Sequence, residues 1–480
     1  MSNVDTRTDA VVVGSGPNGL AAAIMLADAG HDVSLLEAAD SVGGGVRSAE
    51  LTLPGFAHDV CSAIHPFGRT SPFFAGHQAR LAQAGLRWVD PPVAIGHPLD
   101  DGPAVLLERD VDSTAKSLGM DADVYRGLVA PLVGHWAELL PNMLAPFHMP
   151  WGPITALRMA RFGLQAIVSA KGTVRRFRGE RARALFAGAA AHSILPLNER
   201  FSAAAGLLML ASAHADGWPF PEGGAGRLSG AMARMLKEAG GRIETGVKVG
   251  RMQDLPGHST ALFDVAPRQL AQIAGDRLSG RYRRALLGFR HGPGIFKLDL
   301  AIDGAIPWRD PALLRAGTVH LGGTFEEIAQ SEADVGAGRV PSRPFVLLAQ
   351  QSLFDRTRVP DGKNTVWAYC HVPNGSVVDM SEPILTQIER FAPGFRDTIL
   401  ASHVSTPADL ERYNPNYVGG DISGGRFDLR QLFTRPAIRW NPYSTPDPGI
   451  FICSSSTPPG AGVHGMCGYH AAKSALRRLR

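Results

Sequence analysis

The sequence predicts an α/β protein in which a parallel sheet forms a nucleotide-binding domain and the remaining segments form a second, α+β domain. Three observations predict this fold. Residues 8–48 have the pattern strand, glycine turn, helix, strand and acid. Residues 449–468 form a second apolar strand that runs into a glycine-rich loop. The 480 residues are enough for two sizeable cores, and helical and strand patterns fill the intervening chain.

The first segment carries the glycine fingerprint of a dinucleotide site. Residues 11–13 are β-branched and break into Gly14-x-Gly16-x-x-Gly19, and the next apolar strand ends at Glu37. In this pattern the glycines permit a tight turn, a close approach to a pyrophosphate and close helix packing, and the helix N-terminus stabilises the phosphates. Glu37 is placed to accept hydrogen bonds from a ribose diol. We expect an adenine dinucleotide rather than a bare glycine-rich turn. Its predicted contacts here are Gly14, Ser15, Gly16, Pro17, Asn18, Gly19, Glu37 and Ala38.

A second glycine turn distinguishes between dinucleotides. Gly43, Gly44 and Gly45 follow Glu37 after five residues, and Arg47 is the first cation after this turn. A simple nicotinamide enzyme needs nothing there, whereas a flavoprotein uses such a turn to hold the far half of FAD, with an arginine near the pyrophosphate. FAD is therefore the predicted cofactor, and Gly44, Gly45 and Arg47 are predicted contacts.

Composition narrows the functional classes. The chain is 45% hydrophobic and 19% charged, as an ordinary globular protein is, and a net charge of +4 does not argue for nucleic acid. Four scattered cysteines form no CxxC pair, which excludes a dithiol redox centre and favours a reducing, cytoplasmic location. The N-terminal residues lack a signal-peptide pattern, and no apolar run is long enough to span a membrane. No histidine spacing predicts a metal site.

The order of the elements predicts two discontinuous domains. The FAD-binding domain is expected at residues 1–75, 220–290 and 423–480, and the substrate-binding domain at residues 76–219 and 291–422. The first substrate segment is mostly helical, with helices predicted over residues 121–140 and 181–192 among others, and with prolines between the helices. The second contains three strand patterns that indicate a mixed sheet: 295–302, 345–349 and 365–371. Because no second strand-GxGxxG-helix occurs, a dedicated nicotinamide domain is not predicted.

A basic amphipathic stretch lies within the helical part, at residues 151–190. Between Leu157 and Arg183, eight lysines and arginines accompany a single acid, Glu180, and apolar residues interleave with them. Such a stretch can lie on an anionic membrane surface, which a lipid substrate would favour. It can equally be a solvated helix face whose other side packs on the core. Periodicity does not decide between the two interpretations.

Two later segments return to the nucleotide domain. Residues 241–252 predict a strand in which Val247 and Val249 alternate with polar neighbours. The strand at residues 449–453 leads through a glycine-rich loop into the last helix. A helix N-terminus there would stabilise the negative charge that a reduced flavin develops at its pyrimidine end. The predicted contacts in this loop are Gly462, Val463, His464 and Met466.

These motifs resemble the carotenoid/retinoid oxidoreductase family, the phytoene desaturase-like flavoproteins. The matching stretches are GSGPNGLAAA at 14–23, EAADSVGGGVRS at 37–48, WPFPEGGAG at 218–226 and SSSTPPGAGVHGMCG at 454–468. The resemblance implies a glutathione-reductase/amine-oxidase-type FAD-binding Rossmann domain with an inserted α+β substrate domain. It also implies that the backbone of Val249 meets the adenine. One departure is that Gly45 stands where many members carry arginine.

The same resemblance implies hydride transfer from a hydrophobic, polyene or isoprenoid, substrate to flavin N5, with oxygen or a quinone as the later electron acceptor. Lys297 resembles the lysine that amine oxidases hold near N5 through a water, although it could be a solvent-facing lysine of an edge strand. His371 could act as an acid or base, or be structural. His65 matches the segment beside the flavin ring, where backbone proximity is expected more than catalysis.

Three alternatives stay open beside a dehydrogenase or desaturase. An amine-oxidase-like enzyme would use Lys297 and an aromatic cage, which Trp367 and Tyr369 could supply. A double-bond isomerase of the same family would need no net acceptor. A prenyl-binding escort protein would share the fold without a flavin, but the intact glycines and Glu37 argue against it.

Overall fold

The structure is a computed structural model that describes residues 8–479. The expectation of no signal peptide falls mainly on residues 1–7, outside that range. The strands, numbered in chain order, are β1 (Thr8–Val13), β2 (Val33–Leu36), β3 (Ser48–Ala49), β4 (His58–Asp59), β5 (Trp88–Val89), β6 (Val93–His97), β7 (Val105–Glu108), β8 (Phe220–Pro221), β9 (Arg242–Glu244), β10 (His258–Phe263), β11 (Gly294–Asp303), β12 (Ala316–Leu321), β13 (Val346–Ala349), β14 (Lys363–Val372), β15 (Ile399–Ser405) and β16 (Ile450–Ile452).

The helices are α1 (Pro17–Asp28), α2 (Pro72–Gln83), α3 (Val111–Ser117), α4 (Ala122–Val133), α5 (Trp136–Met143), α6 (Pro153–Ala166), α7 (Ala170–Val174), α8 (Glu180–Ala191), α9 (Ser202–Ala215), α10 (Gly226–Glu238), α11 (Pro267–Ile273), α12 (Gly280–Leu287), α13 (Phe325–Gly336), α14 (Ser381–Phe391), α15 (Pro407–Tyr413), α16 (Leu429–Leu432) and α17 (Met466–Leu479). Short 3-10 helices lie between several of them, for example at Val418–Gly420 and Gln351–Leu353.

The nucleotide-binding sheet is parallel throughout, with five strands in the order β16-β10-β1-β2-β9. All five strands come from the ranges that the sequence assigned to the FAD-binding domain. Parallel strands end at one edge of a sheet, so the residues that follow β1, β2 and β10 meet there. These residues are Gly14, Glu37 and Asp264. The predicted strand at residues 241–252 is shorter than expected, since β9 ends at Glu244 and both valines follow it in a loop.

The second sheet is mixed, with seven strands in the order β15-β11-β14-β13-β12-β6-β7. Its β6–β12 pairing is parallel and the others are antiparallel. Along one row of the register, Lys297 lies opposite Tyr369, which lies opposite Leu347. Cross-strand partners share a face of a sheet, so these side chains point to the same side. The other face carries an apolar core that includes Phe296, Leu298 and Leu348.

The helical part differs from the prediction in one detail. The helix expected over residues 121–140 divides at Gly134 and His135 into α4 and α5. The helix predicted at 181–192 is confirmed as α8, whose alanines are buried. Among the residues described, no helix is long and apolar enough to cross a bilayer.

The first and last helices of the nucleotide domain touch at a glycine. A Cβ atom added to Gly468, in the first turn of α17, would lie 1.8 Å from the carbonyl oxygen of Asn18 in α1. Only glycine allows the two backbones to approach so closely. This contact brings the loop before α17 beside the fingerprint turn, although the two are about as far apart in sequence as the chain allows.

Candidate functional site

A cavity of about 630 Å³ connects the two sheets. One end is lined by the fingerprint turn and by the residues at the carboxyl edge of the parallel sheet. The other end is lined by four residues on one face of the mixed sheet, Thr318, Leu347, Trp367 and Tyr369. Binding sites of open α/β sheets lie at the carboxyl edge of their strands, and here the second sheet closes that crevice.

Glu37 is fixed at the nucleotide end by neighbouring backbone and side-chain groups. Its Oε2 accepts hydrogen bonds from the backbone N–H of Ser15, at 2.9 Å, and from the Ser15 hydroxyl. Its Oε1 accepts one from the N–H of Ala39 at 2.9 Å and lies 3.4 Å from Nη2 of Arg47. The carboxylate thus joins the fingerprint turn to the end of β2 and still lines the cavity.

The backbone around the fingerprint fits a dinucleotide. A Cβ atom on Gly16 would lie 2.6 Å from Oδ2 of Asp264, so only a bare backbone fits at this point of the wall. α1 begins at Pro17 directly behind it, and its N-terminal N–H groups form an anion-binding end. The buried Oδ1 of Asn18 has no partner within residues 8–479 and is free for a ligand.

The structure also gives a reason for the unusual Gly45. A Cβ atom at this position would lie 2.0 Å from the hydroxyl oxygen of Tyr417, which itself lines the cavity. An arginine at this position would require the Tyr417 side chain to move. The cation of this turn is Arg47, whose guanidinium carbon lies 5.4 Å from the ring centre of Tyr413.

Most of the predicted cofactor contacts line the cavity. These are Gly14, Ser15, Gly16, Pro17, Asn18, Glu37, Ala38, Gly44, Gly45, Arg47, Val249, Gly462 and Val463. Three others lie behind its wall: Gly19, His464 and Met466. Nδ1 of buried His464 accepts a hydrogen bond from the N–H of Met466 at 3.0 Å, so one N-terminal donor of α17 is already bound.

Asp264 is a cavity residue that the sequence interpretation missed. It follows β10 directly, and its Oδ2 accepts a hydrogen bond from the N–H of Gly19 at 2.9 Å. Burial raises the pKa of Asp264 to about 7; the Gly19 N–H lowers it and the nearby charge of Glu37 raises it further. The carboxyl group therefore takes up one of the donors that a helix N-terminus offers to a phosphate. Its position directly after an apolar strand pattern is the feature of the sequence that could have identified Asp264 as a site residue.

We expect the affinity of the protein for FAD to depend on the charge of Asp264. The raised pKa means that the carboxyl is neutral below about pH 7 and ionised above it, where it repels the pyrophosphate. The Kd for FAD should therefore rise about fivefold or more between slightly acid and slightly alkaline pH, while in Asp264→Asn it should stay flat. Quenching of FAD fluorescence measures the Kd of the wild type and of Asp264→Asn at each pH. Asp40→Asn, at an exposed acid near Glu37 in the sequence, is the matched control and should keep the pH dependence of the wild type. Equal pH dependence in Asp264→Asn and the wild type would contradict this role.

The other end of the cavity is an apolar, aromatic chamber. Trp367 and Tyr369 meet edge to face, with ring centres 5.0 Å apart and planes at 86°. Ile64, Phe67 and Trp218 also line the cavity. Such walls desolvate a hydrophobic ligand and hold it by shape.

Lys297 lies beside this chamber but not on its wall. β11 has a neighbour on each side, β14 and β15, so the alternative of a solvent-facing lysine on an edge strand is wrong. The side chain is fully buried, forms an ion pair with Asp299, and holds its Nζ 5.8 Å from the ring centre of Trp367. Nδ1 of His58 lies 3.6 Å from Asp299, and burial followed by the charge of Lys297 lowers the pKa of His58 to about 3.

The two predicted histidines also lie behind the wall, and the structure does not bring them together with Lys297. Nδ1 of His371 is 2.9 Å from Oε1 of Glu332, and its Nε2 has no partner within residues 8–479. The ring of His65 packs edge to face on Trp88, and burial lowers its pKa to about 4. The neighbours of His65, Ile64 and Pro66, do line the cavity. The catalytic roles of all three side chains stay predictions.

His192 is the histidine that does line the chamber. It follows α8, and its Nε2 is 3.1 Å from Nε2 of His320 on β12. Burial, and secondarily the charge of His371, lowers the pKa of His192 to about 3, so the ring is neutral at physiological pH. The one feature of the sequence that could have identified His192 is its position at the end of an alanine-rich helical pattern.

Comparison with known proteins agrees with this geometry. A family described as NAD(P)-binding Rossmann-like domain matches residues 12–75. Pyridine nucleotide-disulfide oxidoreductase domain-containing protein 2 of Rattus norvegicus is 24% identical, over 98% of this chain and 94% of its own. Hydroxyneurosporene desaturase of Rhodobacter capsulatus is also 24% identical, over 98% of both chains. The solved structure of cyclohexylamine oxidase from Brevibacterium oxydans has a TM-score of 0.61 at 16% identity, over 98% of this chain and 100% of its own.

These similarities confirm the predicted resemblance and the predicted fold class, and they bear out the prediction of an oxidoreductase. The structural likeness, at 16% identity, shows the fold alone. The matched family establishes a dinucleotide-binding, Rossmann-like domain at the N-terminal end.

Proposed function

We propose that this protein is an FAD-dependent oxidoreductase that removes hydride from a hydrophobic substrate, of the polyene or isoprenoid class. The main observation behind the proposal is that one and the same cavity extends from the glycine fingerprint to the aromatic chamber. A dinucleotide lying along it would place one end at Glu37 and the other beside Trp367 and Tyr369. Similarity to a carotenoid desaturase over nearly the whole chain supports this substrate class.

The residues at the nucleotide end would hold the cofactor. Glu37 would accept hydrogen bonds from the ribose hydroxyls, the N–H groups at the start of α1 and Arg47 would bind the pyrophosphate, and Val249 would border the adenine, since all of these residues line the cavity. When bound, FAD supplies a ring that takes up hydride at N5. The chain itself supplies orientation and exclusion of water.

The chamber residues would orient the substrate carbon and handle the accompanying proton. Leu347, Trp367 and Tyr369 exclude water from the reacting bond and fix the chain of an extended hydrocarbon. Neutral His192 lines the chamber, and its Nε2 is hydrogen-bonded to Nε2 of His320, so its ring can orient a water that would take up the proton leaving the neighbouring carbon. Electrons then leave to oxygen or to a quinone.

The amine-oxidase alternative receives less support from the geometry. The ammonium of Lys297 is bound by Asp299 and lies off the cavity wall. The desaturase-like function is therefore the one we propose.

The visible absorption spectrum of the undialysed protein, followed by identification of the released cofactor, tests the proposal. We expect a flavin band, free FAD after denaturation, and anaerobic bleaching by an isoprenoid polyene but not by a primary amine. Conversion of the polyene without bleaching would indicate a double-bond isomerase instead. A colourless protein that takes up no added FAD would overturn the proposal and indicate a lipid-binding module.

A further inference from the structure

Large apolar side chains stand in solvent on two segments of the chain. We call them the docking surface, which consists of Phe147, Met149, Trp151, Ile154, Leu157 and Leu164 on the first segment and Phe433, Ile438 and Trp440 on the second. Their exposure ranges from 60% for Phe433 to 107% for Trp440, so none of them belongs to a core. Exposed apolar clusters of this kind mark interaction sites rather than ordinary surface.

The outward face of α6 is the centre of this surface. At about 100° per residue, Ile154, Leu157 and Leu164 form one stripe along the helix. All three are exposed, whereas Phe162 is half-buried and Ala166 is buried against the protein. A surface helix in water normally turns polar residues outward, so α6 has an apolar outer face that contributes nothing to folding.

The two segments of the docking surface touch one another. The rings of Phe147 and Phe433 meet edge to face, with centres 6.0 Å apart. Residues nearly 300 positions apart in the sequence therefore lie side by side. No pattern in either segment alone predicts this contact.

Unpaired cations lie on and next to the same segments of the chain as the apolar residues. Arg161 lies within the α6 stripe, and Lys171, Arg175 and Arg176 follow on α7 and its end, all four exposed. Within residues 8–479 none of the four makes an ion pair. Arg430 adds a fifth exposed and unpaired cation on the second segment. Exposed apolar residues beside unpaired cations complement an anionic lipid surface.

The elements that carry the surface continue into the cavity wall. The N–H of Phe201 contacts the carbonyl oxygens of Ile167 and Val168, each at 3.2 Å, where the α6 segment ends. Phe201 opens α9, whose Met209 lines the cavity. On the second segment, residues 422–424 line the cavity a few positions before α16 and Phe433.

We propose that the docking surface binds an anionic lipid bilayer, with its apolar side chains entering the boundary between headgroups and acyl chains. A second copy of the chain is a poorer occupant, because a symmetric contact would bring the unpaired cations of both copies together. The proposal does not rest on the redox function: it concerns residues outside the cofactor cavity, and it can fail while the flavin chemistry stands. A substrate dissolved in lipid would then reach the cavity along α9.

Co-sedimentation of the full protein with vesicles tests the proposal. We expect binding to vesicles of equal parts phosphatidylcholine and phosphatidylglycerol, and much weaker binding to phosphatidylcholine alone or at high salt. The double variant Leu157→Glu/Leu164→Glu should partition roughly tenfold less or weaker still, since two side chains lose their place among the acyl chains. Val377→Glu, at a residue 90% exposed on a different segment, is the matched control and should bind as the wild type does.

Several results would overturn the proposal. The first is an absence of binding to both vesicle types, and the second is equal binding of the double variant and the wild type. The third is equal binding to vesicles with and without phosphatidylglycerol. Sedimentation velocity without vesicles adds a further arm: a dimer that the double variant abolishes, without vesicle binding, would assign the surface to a second copy. The flavin spectrum and melting temperature of the double variant should match the wild type, because both leucines lie outside the core.

Discussion

Replacement of Glu37 by alanine is expected to release FAD from the protein. In the structure the Glu37 carboxylate accepts three hydrogen bonds, from the N–H and hydroxyl of Ser15 and from the N–H of Ala39, and these aim it into the cavity. Hydrogen bonds to a charged group contribute about 1.5–3 kcal/mol each, so losing the two ribose contacts that we propose for Glu37 should weaken binding roughly a hundredfold or more. The alanine variant also leaves the Ser15 N–H without its acceptor, which loosens the fingerprint turn.

The ratio of visible to ultraviolet absorbance after gel filtration measures this release. Glu244→Ala is the matched control, because Glu244 is an exposed carboxylate opposite Leu36 in the parallel sheet, one residue from Glu37 in register. The control should keep its flavin. Full occupancy in Glu37→Ala would remove Glu37 from the binding site and, with it, the central assignment of the nucleotide end.

The nucleotide domain could be predicted from the sequence because its determinants are local. The turn from Gly14 to Gly19, the strand before it and the acid at Glu37 lie within thirty residues of one another. The local structure of this segment is therefore determined by its own residues and does not depend on contacts with distant parts of the chain. The strands of the mixed sheet were also predictable, since their apolar character indicates burial on both faces.

The remaining site residues depend on tertiary contacts that no local pattern contains. Asp264 reaches Gly19 across 245 residues, and His192 reaches His320 across 128. The second segment of the docking surface is likewise defined only by its contact with Phe147. In the basic stretch, the pattern could not tell which helix face was buried, whereas the packing of α6 turns leucines outward.

Lys297 shows the same limit, since its strand and face follow from alternation but its partner does not. Asp299, two positions after Lys297, lies on the same face of β11 and forms the ion pair with it. His58 on β4 lies next to Asp299. The sequence pattern therefore singled out Lys297 but decided neither that it is buried nor that an anion already neutralises it.

Replacement of Lys297 by methionine is expected to destabilise the protein by about 3–5 kcal/mol, because it leaves the buried Asp299 carboxylate without its counter-ion. The double variant Lys297→Met/Asp299→Leu should recover most of this loss, since apolar residues of similar volume replace a buried ion pair at little cost. Urea unfolding at neutral pH measures the free energy of unfolding of both variants and the wild type.

The same two variants separate a structural lysine from a reactive one. Lys297 lies off the cavity wall, so the stable double variant should still bleach with substrate at a rate within about threefold of the wild type. A double variant that is as stable as the wild type, binds FAD and yet bleaches orders of magnitude more slowly would place the ammonium in the reaction, as its resemblance to the amine-oxidase lysine implies. Recovery of both stability and bleaching would instead show that the buried pair is structural and takes no part in the reaction.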